Sequence, residues 1–326
     1  MITIKEALTK KEMKDYVMFS FELYKNNQYW IPPIIAEELE TFDKTKNPAL
    51  QTAEAHFYLA YKDGKIVGKI AAIINWEEVN LLGKRKVRFG WFDAIDDIEV
   101  TKALLDKVEE LGRKHNMDHM EGPMGFSNLD KVGILSEGFD QMGNMITWYS
   151  LPYYITHFEQ LGFIKEKEYI ESDFSFNGIN PEPFQKASEL IKKRYELRSL
   201  NFTKTKDIMP YVDKMFDLFN ETYAKLQSFV PINDIQKAYF KKKYISFINP
   251  EFIKFIVDKN DNMIAFAIVM PGFAQALKKA NGKLFPFGFY HLLQARKHSK
   301  EIVFYLIGIT PEYQSKGVTA IVFDEY

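Results

Sequence analysis

The residues best suited to chemistry lie near the end of the sequence, in a polar loop between two apolar segments. This loop, residues 310–319, contains Gln314, Lys316 and Gly317. A loop that begins a helix presents backbone N–H groups without partners, and the helix dipole adds partial positive charge there. Glycine lets the backbone approach an anion, and a nearby lysine offsets negative charge. The spacing therefore predicts a phosphate or pyrophosphate site on the amides of residues 314–319.

The same loop resembles the signature of the GNAT N-acetyltransferase superfamily. That signature places Arg or Gln, then Gly three residues later, then Gly or Ala two residues further on, after a strand and a turn. Gln314, Gly317 and Thr319 take these three positions. The resemblance implies that acetyl-CoA or another acyl-CoA binds here, with its pyrophosphate on the loop and its pantetheine arm on the preceding strand. The cofactor-binding residues implied in this way are Ile307, Gly308, Ile309, Gln314, Ser315, Lys316, Gly317, Val318 and Thr319.

Thr319 departs from the family pattern. Its β-branched side chain is expected to crowd a phosphate, although its hydroxyl could donate a hydrogen bond to it. On the strand, Gly308 is expected to leave room for a thin chain to pass. The alternative interpretation of the loop is an ordinary strand–helix turn with a glycine.

Acyl transfer to an amine requires a base, because an alkyl amine has a pKa of about 10.4 and must lose a proton. Glu221 and Tyr223, near the end of a predicted helix, are candidate catalytic residues, and so is Tyr305 on the strand before the loop. A purely structural role is the alternative for each. The resemblance implies a tyrosine acid on a later helix, which would lie beyond Tyr326.

Other chemistries have less support. The sequence has no cysteine, which excludes disulfides, thiolate nucleophiles and cysteine-type zinc sites. His115 and His119 are four residues apart, but the predicted helix ends near Asn116, so we predict no metal site. Neither a Gly-x-Ser-x-Gly pattern nor a Walker-type loop is present.

A basic segment surrounds the aromatic residues 285–290. Lysines beside aromatic rings can bind the 3′-phosphate of CoA, or RNA, but the pattern favours a solvated insertion. The basic residues are Lys278, Lys279, Lys283, Arg296, Lys297 and Lys300.

The phosphate loop must be positioned by the strand before it, residues 301–309, and a helix after it, residues 318–326. Upstream, the apolar pattern predicts two helices and then a strand–turn–strand, at residues 208–223, 235–247, 252–257 and 263–270. A similar strand–turn–strand occurs in the first half, where an Asp-Gly turn joins residues 57–61 and 66–74. We interpret this similarity as an internal duplication. The remaining predicted elements are strands at 86–92, 117–122 and 169–176 and helices at 100–115, 154–161 and 184–194.

The first half lacks the phosphate loop. Where that loop should begin a helix stands the segment 93–99, with four carboxylates and no glycine, which would repel a phosphate. Phe158 takes the position at which the family often carries its proton-donating tyrosine. We therefore predict a degenerate partner domain. Its long loop, from Glu121 through Asn128 to Tyr154, either shapes a substrate pocket or is a packed Ω-loop.

The chain has 326 residues, which exceeds what one hydrophobic core usually supports. The predicted fold class is α+β, with two tandem GNAT-like domains whose mixed, mainly antiparallel sheets are flanked by helices. The predicted domains are a degenerate N-terminal domain at 1–178, a connector helix at 179–200 and a C-terminal domain with the CoA loop at 201–326. We expect the C-terminal domain to be incomplete, because its last helix has only begun.

The composition and net charge limit the classes of partner that the sequence predicts. Hydrophobic residues make up 46% of the chain and aromatic residues 15%, which predicts packed cores. The net charge of −1 gives no footprint for nucleic acid or an anionic membrane, so we predict neither as a partner. The sequence shows no run of about 20 apolar residues and no secretory signal pattern, so we expect a cytoplasmic protein.

The resulting hypothesis is an acyl-CoA-dependent N-acyltransferase that acts on a primary amine of a small molecule or peptide, without a metal. A homodimer is compatible with it. Two alternatives stay open. One is an aminoacyl transferase of the Fem type, which also pairs two GNAT-like domains and uses aminoacyl-tRNA. The other is a non-catalytic protein that binds acyl-CoA or a partner.

Overall fold

The structure is a computed structural model that describes residues 1–127, 129–226, 229–245 and 248–326. Contacts between residues divide the chain into two compact units. The first unit consists of Met1–Tyr169 and Phe273–His298, and the second of Ile170–Gly272 and Ser299–Tyr326.

The first unit is built on a sheet with the strand order β1-β2-β3-β4-β5, in which β1 to β4 are antiparallel and β5 is parallel to β4. The strands are β1 (Ile2–Glu6), β2 (Ala53–Lys62), β3 (Lys65–Asn75), β4 (Lys86–Ala94) and β5 (His119–Glu121). The helices are α1 (Lys10–Leu23), α2 (Ile35–Thr41), α3 (Ala49–Thr52), α4 (Trp76–Leu82), α5 (Ile98–Lys114) and α6 (Tyr153–Gln160).

Both faces of this sheet are covered. One face packs against α5, where Leu104 and Val108, one helical turn apart, are fully buried. The other face packs against α1, where the ring of Tyr16 meets Phe57 edge to face at 5.7 Å. Because both faces are covered, β4 is buried along its whole length.

The second unit has a sheet with the strand order β6-β7-β8-β9, antiparallel throughout. The strands are β6 (Arg198–Leu200), β7 (Ile253–Val257), β8 (Met263–Pro271) and β9 (Ile302–Ile309). The helices are α7 (Glu182–Tyr195), α8 (Thr205–Tyr223), α9 (Asp234–Phe240) and, after β9, α12 (Val318–Glu325). Two further helices, α10 (Ala274–Ala280) and α11 (Gly288–His298), lie between β8 and β9 in sequence but belong by their contacts to the first unit.

Along the chain one order of elements occurs twice: a strand, helices, two antiparallel strands, an inserted helix or helix pair, a fourth strand and a helix. In both, the third strand bonds to the residue just after the fourth: the N–H of Ile95 donates to Val67 O, and that of Thr310 to Ile264 O, each at 2.9 Å. The fourth strand of each unit, β4 or β9, also carries a bulge against its neighbour. The fold is therefore α+β with mixed and antiparallel sheets, and the repeated order supports the internal duplication inferred from sequence.

The division into units differs from the predicted domains at 1–178, 179–200 and 201–326. The predicted connector contains α7, which packs against α12 within the second unit through Ile191 and Tyr195. Residues 273–298, predicted within the C-terminal domain, group with the first unit instead. A sequence pattern shows local periodicity but does not show which sheet a helix packs on.

The strand predicted at residues 169–176 is wrong. This stretch contains neither helix nor strand, and Tyr169, Ile170, Phe174 and Phe176 are all exposed. A strand needs a neighbour for its backbone hydrogen bonds, and none of the described residues supplies one. The helix predicted at 235–247 is α9 followed by a π-helical turn, Lys241–Ile245, and Phe247 lies outside the described residues.

Candidate functional site

The loop between β9 and α12 has a defined geometry. After β9 ends, Pro311–Tyr313 form a single 3-10 turn, and the side-chain amide of Gln314 donates to the carbonyl of Ile309 at 3.1 Å. Eight residues, 310–317, separate the strand from the helix. This length is sufficient for a loop that leads into the helix N-terminus.

Gly317 is the N-cap of α12 and has a left-handed backbone, with φ at 76°. This conformation is accessible to glycine without steric cost but is unfavourable for other residues. A Cβ atom on Gly317 would also lie 2.9 Å from Cδ1 of Ile191 in α7. Glycine is therefore required here both by backbone conformation and by the packing of α7.

In the first turn of α12 the N–H of Ala320 donates to the carbonyl of Gly317 at 2.9 Å, and no described side chain caps the N–H groups of Val318 and Thr319. Gly317 has no side chain to cap the helix, and no side chain among the described residues takes that role. By contrast, α5 in the first unit is capped by Asp97, whose carboxylate accepts from the N–H of Glu99 at 3.1 Å. Gln314, Ser315 and Thr319 are exposed around this turn, whereas Val318 is buried. The arrangement suits an anionic group bound from solvent.

Lys316 is held beside the loop by several contacts. Its ammonium lies 2.9 Å from Oε1 of Glu312, 4.2 Å from the ring centre of Tyr313 and 5.3 Å from that of Tyr195. The hydrogen bond to Glu312 raises the pKa of Lys316, so this residue stays cationic at neutral pH. A phosphate near the loop would meet a positioned positive charge.

The strand β9 lies at the end of its sheet and pairs with β8, and no other described strand pairs with it. A bulge places Tyr305 out of register, between the paired residues Phe304 and Leu306. Backbone groups on the outer edge of such a strand are available to a ligand. One of the predicted contacts is already used, because the hydroxyl of Tyr223 donates to the carbonyl of Ile307 at 3.1 Å.

Gly308 has a different physical role from the one expected. It is buried, and a Cβ atom there would lie 2.3 Å from Cε1 of Phe266 on the neighbouring strand. The space beside Gly308 is thus filled by a phenyl ring and not left open for a ligand. Whether its backbone contacts a cofactor stays a prediction.

The three candidate catalytic residues are not equally placed. Tyr223 lies against β9, and Tyr305 is half-buried in the bulge of that strand. Glu221 is exposed and lines a shallow depression with no residue from β9. The other lining residues are Lys214, Asp217, Leu218, Asn262 and Met263.

The protonation of Tyr223 limits what it can do. Burial raises the pKa of this phenol, and the hydrogen bond to Ile307 opposes that effect only in part. Tyr223 therefore stays protonated at neutral pH and is suited to donate a proton or hydrogen bond. The role of base, for which it was a candidate, does not fit this environment.

The first unit has no equivalent loop. Only three residues, 95–97, separate β4 from α5, and the Asp97 carboxylate occupies the first-turn amides that a phosphate would need. Phe158 packs in the core against Phe89 and Phe92, with ring centres 5.6 and 5.2 Å away. The first turn of α5 is therefore capped by a side chain, whereas the first turn of α12 is not. Phe158 is a core residue of the first unit.

The first unit contains a buried polar cluster that was not predicted from the sequence. The carboxylate of Asp93 accepts from Ser20 Oγ at 2.6 Å and from the hydroxyl of Tyr24 at 2.8 Å, and Nζ of Lys69 lies 3.6 Å away. Lys69 was a visible signal, because it is the one charged residue in the apolar run 66–74 within β3. The hydrogen bond from Ser20 of α1 to Asp93 of β4 connects this helix to the sheet.

The long loop of the first unit packs on its own domain. No helix or strand occurs between Glu121 and Tyr153 in the described residues, and Asn128 lies outside them. The ring of Trp148 meets Trp91 at 5.9 Å, and the hydroxyl of Tyr149 donates to the carbonyl of Phe139 at 2.8 Å. These contacts suit a packed loop; a substrate pocket stays a prediction.

The described residues contain no group of histidine, cysteine and carboxylate side chains that could hold a metal ion. His115 caps the end of α5 and contacts the carboxylate of Glu54 at 3.1 Å, whereas His119 begins β5. None of the described helices is long and apolar enough to cross a membrane.

Comparison with known proteins gives relatives over nearly the whole chain. No family model matches it. Protein YghO of Escherichia coli is 27% identical over 98% of this chain and 81% of the relative. The bacterial ceramide synthase of Caulobacter vibrioides is 24% identical over 94% of this chain and 80% of the relative.

Among solved structures, a tandem GNAT protein from the clavulanic acid biosynthesis pathway aligns with 99% of this chain and 83% of its own. The TM-score is 0.49 and the sequence identity 9%. The loop motif, the repeated element order and the bulged fourth strand of each unit are features of this chain itself. The loop motif of this chain resembles that of the GNAT superfamily, and its two units repeat one order of elements.

Proposed function

We propose that this protein is an acyl-CoA-dependent N-acyltransferase that moves an acetyl or longer acyl group to a primary amine. The observation that carries the proposal is the left-handed Gly317 at the uncapped start of α12, at the end of the loop that follows the bulged strand β9. Acyl-CoA is a metabolite of the cell interior, so the proposal implies action there.

In this proposal the loop binds the CoA pyrophosphate through the first-turn amides of α12, and Lys316 adds its charge. The amine nitrogen attacks the thioester carbonyl, the C–N bond forms and the C–S bond breaks. The proton lost by the amine passes to solvent or to a base, and the CoA thiolate accepts a proton as it leaves. Among the three candidates, Tyr223 is the best placed donor, because it is protonated and its hydroxyl contacts the backbone of β9.

The relative named bacterial ceramide synthase supports amide formation, because a ceramide is an amide of a long-chain amino alcohol. The acceptor of the present protein is therefore best sought in a panel that includes long-chain amino alcohols beside small amines and peptides.

Calorimetric titration with acetyl-CoA tests the loop. Reversing the charge at Lys316 (Lys316→Glu) changes the interaction with a phosphate at about 4 Å by about 2 kcal/mol in a solvent-exposed site, so we expect roughly 30-fold weaker binding. The matched control is Lys102→Glu, because Lys102 is also paired with an acid four residues away, at 2.7 Å from Asp106. Equal affinity for the two variants would place the ligand elsewhere.

An assay of thiol release over the amine panel then tests catalysis. We expect Tyr223→Phe to lower the turnover number at least 10-fold while acetyl-CoA binding is kept, as is typical of the loss of an acid. Acetyl-CoA binding without thiol release for any amine would instead favour the non-catalytic alternative. Thiol release that is unchanged in Tyr223→Phe would remove this residue from the mechanism.

A further inference from the structure

The helix pair α10–α11, residues 273–298, exposes an unusual number of rings. Phe285 and Phe287, in the turn between the helices, are 78% and 70% exposed, and Tyr290 is 53% exposed. Phe289 and Leu293 follow on α11, one helical turn apart and 43% and 44% exposed. The ring centres of Phe285 and Phe289 are 5.7 Å apart, so these two exposed rings lie side by side.

The same segment is strongly basic. Residues 273–298 contain five lysines and arginines and no aspartate or glutamate, so they contribute +5, whereas the rest of the chain carries −6 within the total of −1. Lys279, Lys283 and Lys297 are exposed, and no acidic side chain pairs with them in the described part of the chain. The net charge of −1 therefore results from a basic helix pair and an acidic remainder of the chain.

The helix pair contacts the rest of the first unit at Gly282, and on α10 the side chains of Ala274, Ala276 and Ala280 are buried. The N–H of Ile35, at the start of α2, donates to the carbonyl of Gly282 at 2.9 Å. A Cβ atom on Gly282 would lie 2.6 Å from Cζ of Phe21 in α1. The pair is thus held close on one side, and its aromatic residues remain on the solvent side.

We propose that this helix pair docks the protein on an anionic membrane surface, with the rings of Phe285 and Phe287 in the headgroup region. Aromatic and leucine side chains flanked by lysines, without acids, are the composition of elements that bind at the membrane interface. Each lysine near an anionic leaflet attracts it, and the long side chain can keep its ammonium in the headgroups. Exposed apolar side chains that lie together on a surface mark an interaction site.

The positive charge of the helix pair favours an anionic membrane over a second copy of this chain as the binding partner. The same patch on another molecule would present only positive charge, which repels. Nucleic acid would satisfy the lysines, but Leu293 and the phenyl rings along the helix favour an apolar medium below a layer of negative charge. The inference rests on the helix pair alone and does not depend on the proposed acyl transfer.

Co-sedimentation of the full chain with lipid vesicles tests the proposal. We expect binding to vesicles of phosphatidylcholine with phosphatidylglycerol, weak binding to phosphatidylcholine alone, and a loss of binding as salt is raised. Each lysine contributes about a 5-fold factor, so the triple variant Lys279→Gln, Lys283→Gln and Lys297→Gln should lose roughly 100-fold in partitioning. The double variant Phe285→Ser and Phe287→Ser should lose at least 10-fold.

The controls match these changes in number and exposure. Leu8 and Leu81 are 77% and 70% exposed in the same unit, and Leu8→Ser with Leu81→Ser should leave vesicle binding unchanged. The triple variant Lys10→Gln, Lys44→Gln and Lys65→Gln, at exposed lysines outside residues 273–298, should lose less than 10-fold. Circular dichroism of each variant establishes that it is folded.

Four results would overturn the proposal. The first is the absence of binding to phosphatidylglycerol vesicles by the wild-type chain. The second is equal binding by the helix-pair variants and their controls. The third is self-association in sedimentation velocity that Phe285→Ser and Phe287→Ser abolish, which would make a second copy the occupant. The fourth is RNA binding that depends on the same lysines while vesicle binding does not.

Discussion

Replacing Gly317 with alanine separates the packing role of this residue from its role in the phosphate loop. The left-handed backbone at φ 76° costs an alanine about 1–2 kcal/mol. The new methyl group would start 2.9 Å from Cδ1 of Ile191, which must shift, at a further cost of about 1 kcal/mol. We expect the second unit to lose about 2–3 kcal/mol of unfolding free energy, the sum of these costs.

Gly64 is a matched control because its φ is also 76° and a Cβ atom there would meet nothing within 4 Å. It lies in the turn between β2 and β3, far in sequence from the loop. Gly64→Ala should therefore lose only the backbone cost of about 1–2 kcal/mol and keep full affinity for acetyl-CoA. In Gly317→Ala the shifted amides should weaken acetyl-CoA binding at least 10-fold, a loss of about 1.4 kcal/mol.

Urea titration and calorimetry measure the two effects separately. Tryptophan fluorescence reports the first unit and circular dichroism reports both, because the four tryptophans lie in the first unit at Trp30, Trp76, Trp91 and Trp148. Adding Ile191→Val to Gly317→Ala should relieve the contact and recover part of the stability without recovering affinity. The reasoning is refuted if Gly317→Ala binds acetyl-CoA as tightly as Gly64→Ala does.

Three further predictions concern the structure around the sites. Gly308→Ala should destabilise the second unit by about 1–3 kcal/mol in urea, and Phe266→Leu should recover part of this loss; simple additivity of the two changes would contradict the clash. Burial raises the pKa of Glu325, but hydrogen bonds from neighbouring side chains outweigh it and lower the pKa from 4.5 to about 2. Because the folded pKa is the lower one, this carboxylate stabilises the unit above about pH 4.5 and loses that effect as the pH falls towards 2. Glu325→Gln should therefore cost about 1–2 kcal/mol of unfolding free energy at pH 7 and reduce the loss of stability at acid pH. The same loss of stability at acid pH in the variant and the wild type would contradict a stabilising role for this carboxylate. Asp93→Asn should destabilise the first unit by about 3–5 kcal/mol, since it leaves the buried Lys69 without its anion; a loss below about 1 kcal/mol by fluorescence would show that the cluster is not a stabilising one.

Several features were predictable because they depend on local sequence. The hairpin of β2 and β3 follows from its Asp-Gly turn, and the helix α5 from the spacing of its apolar residues. The glycine of the phosphate loop was also predictable, because Gly317 closes a turn between a strand and a helix. Its left-handed backbone now gives that position a physical reason.

Other features depend on residues far apart in sequence and were not predictable. Gly308 was expected to leave open space, but the space is filled by Phe266, a residue on another strand. Tyr223 was a candidate base, but its contact with β9 and its burial keep it protonated. The residues 169–176 have the composition of a strand and no neighbour to pair with.

The sequence by itself determined the loop between β9 and α12, the duplicated pattern and the acidic start of α5, because each depends on residue types at short spacing. The tertiary structure alone decided which unit α7 and α10–α11 belong to, which tyrosine lies against β9, and that the basic residues of 273–298 surround an exposed aromatic patch. Periodicity specifies an apolar face, but only the folded chain determines what that face meets. The apolar face of α7 packs against α12, whereas the rings of the helix pair are exposed to solvent.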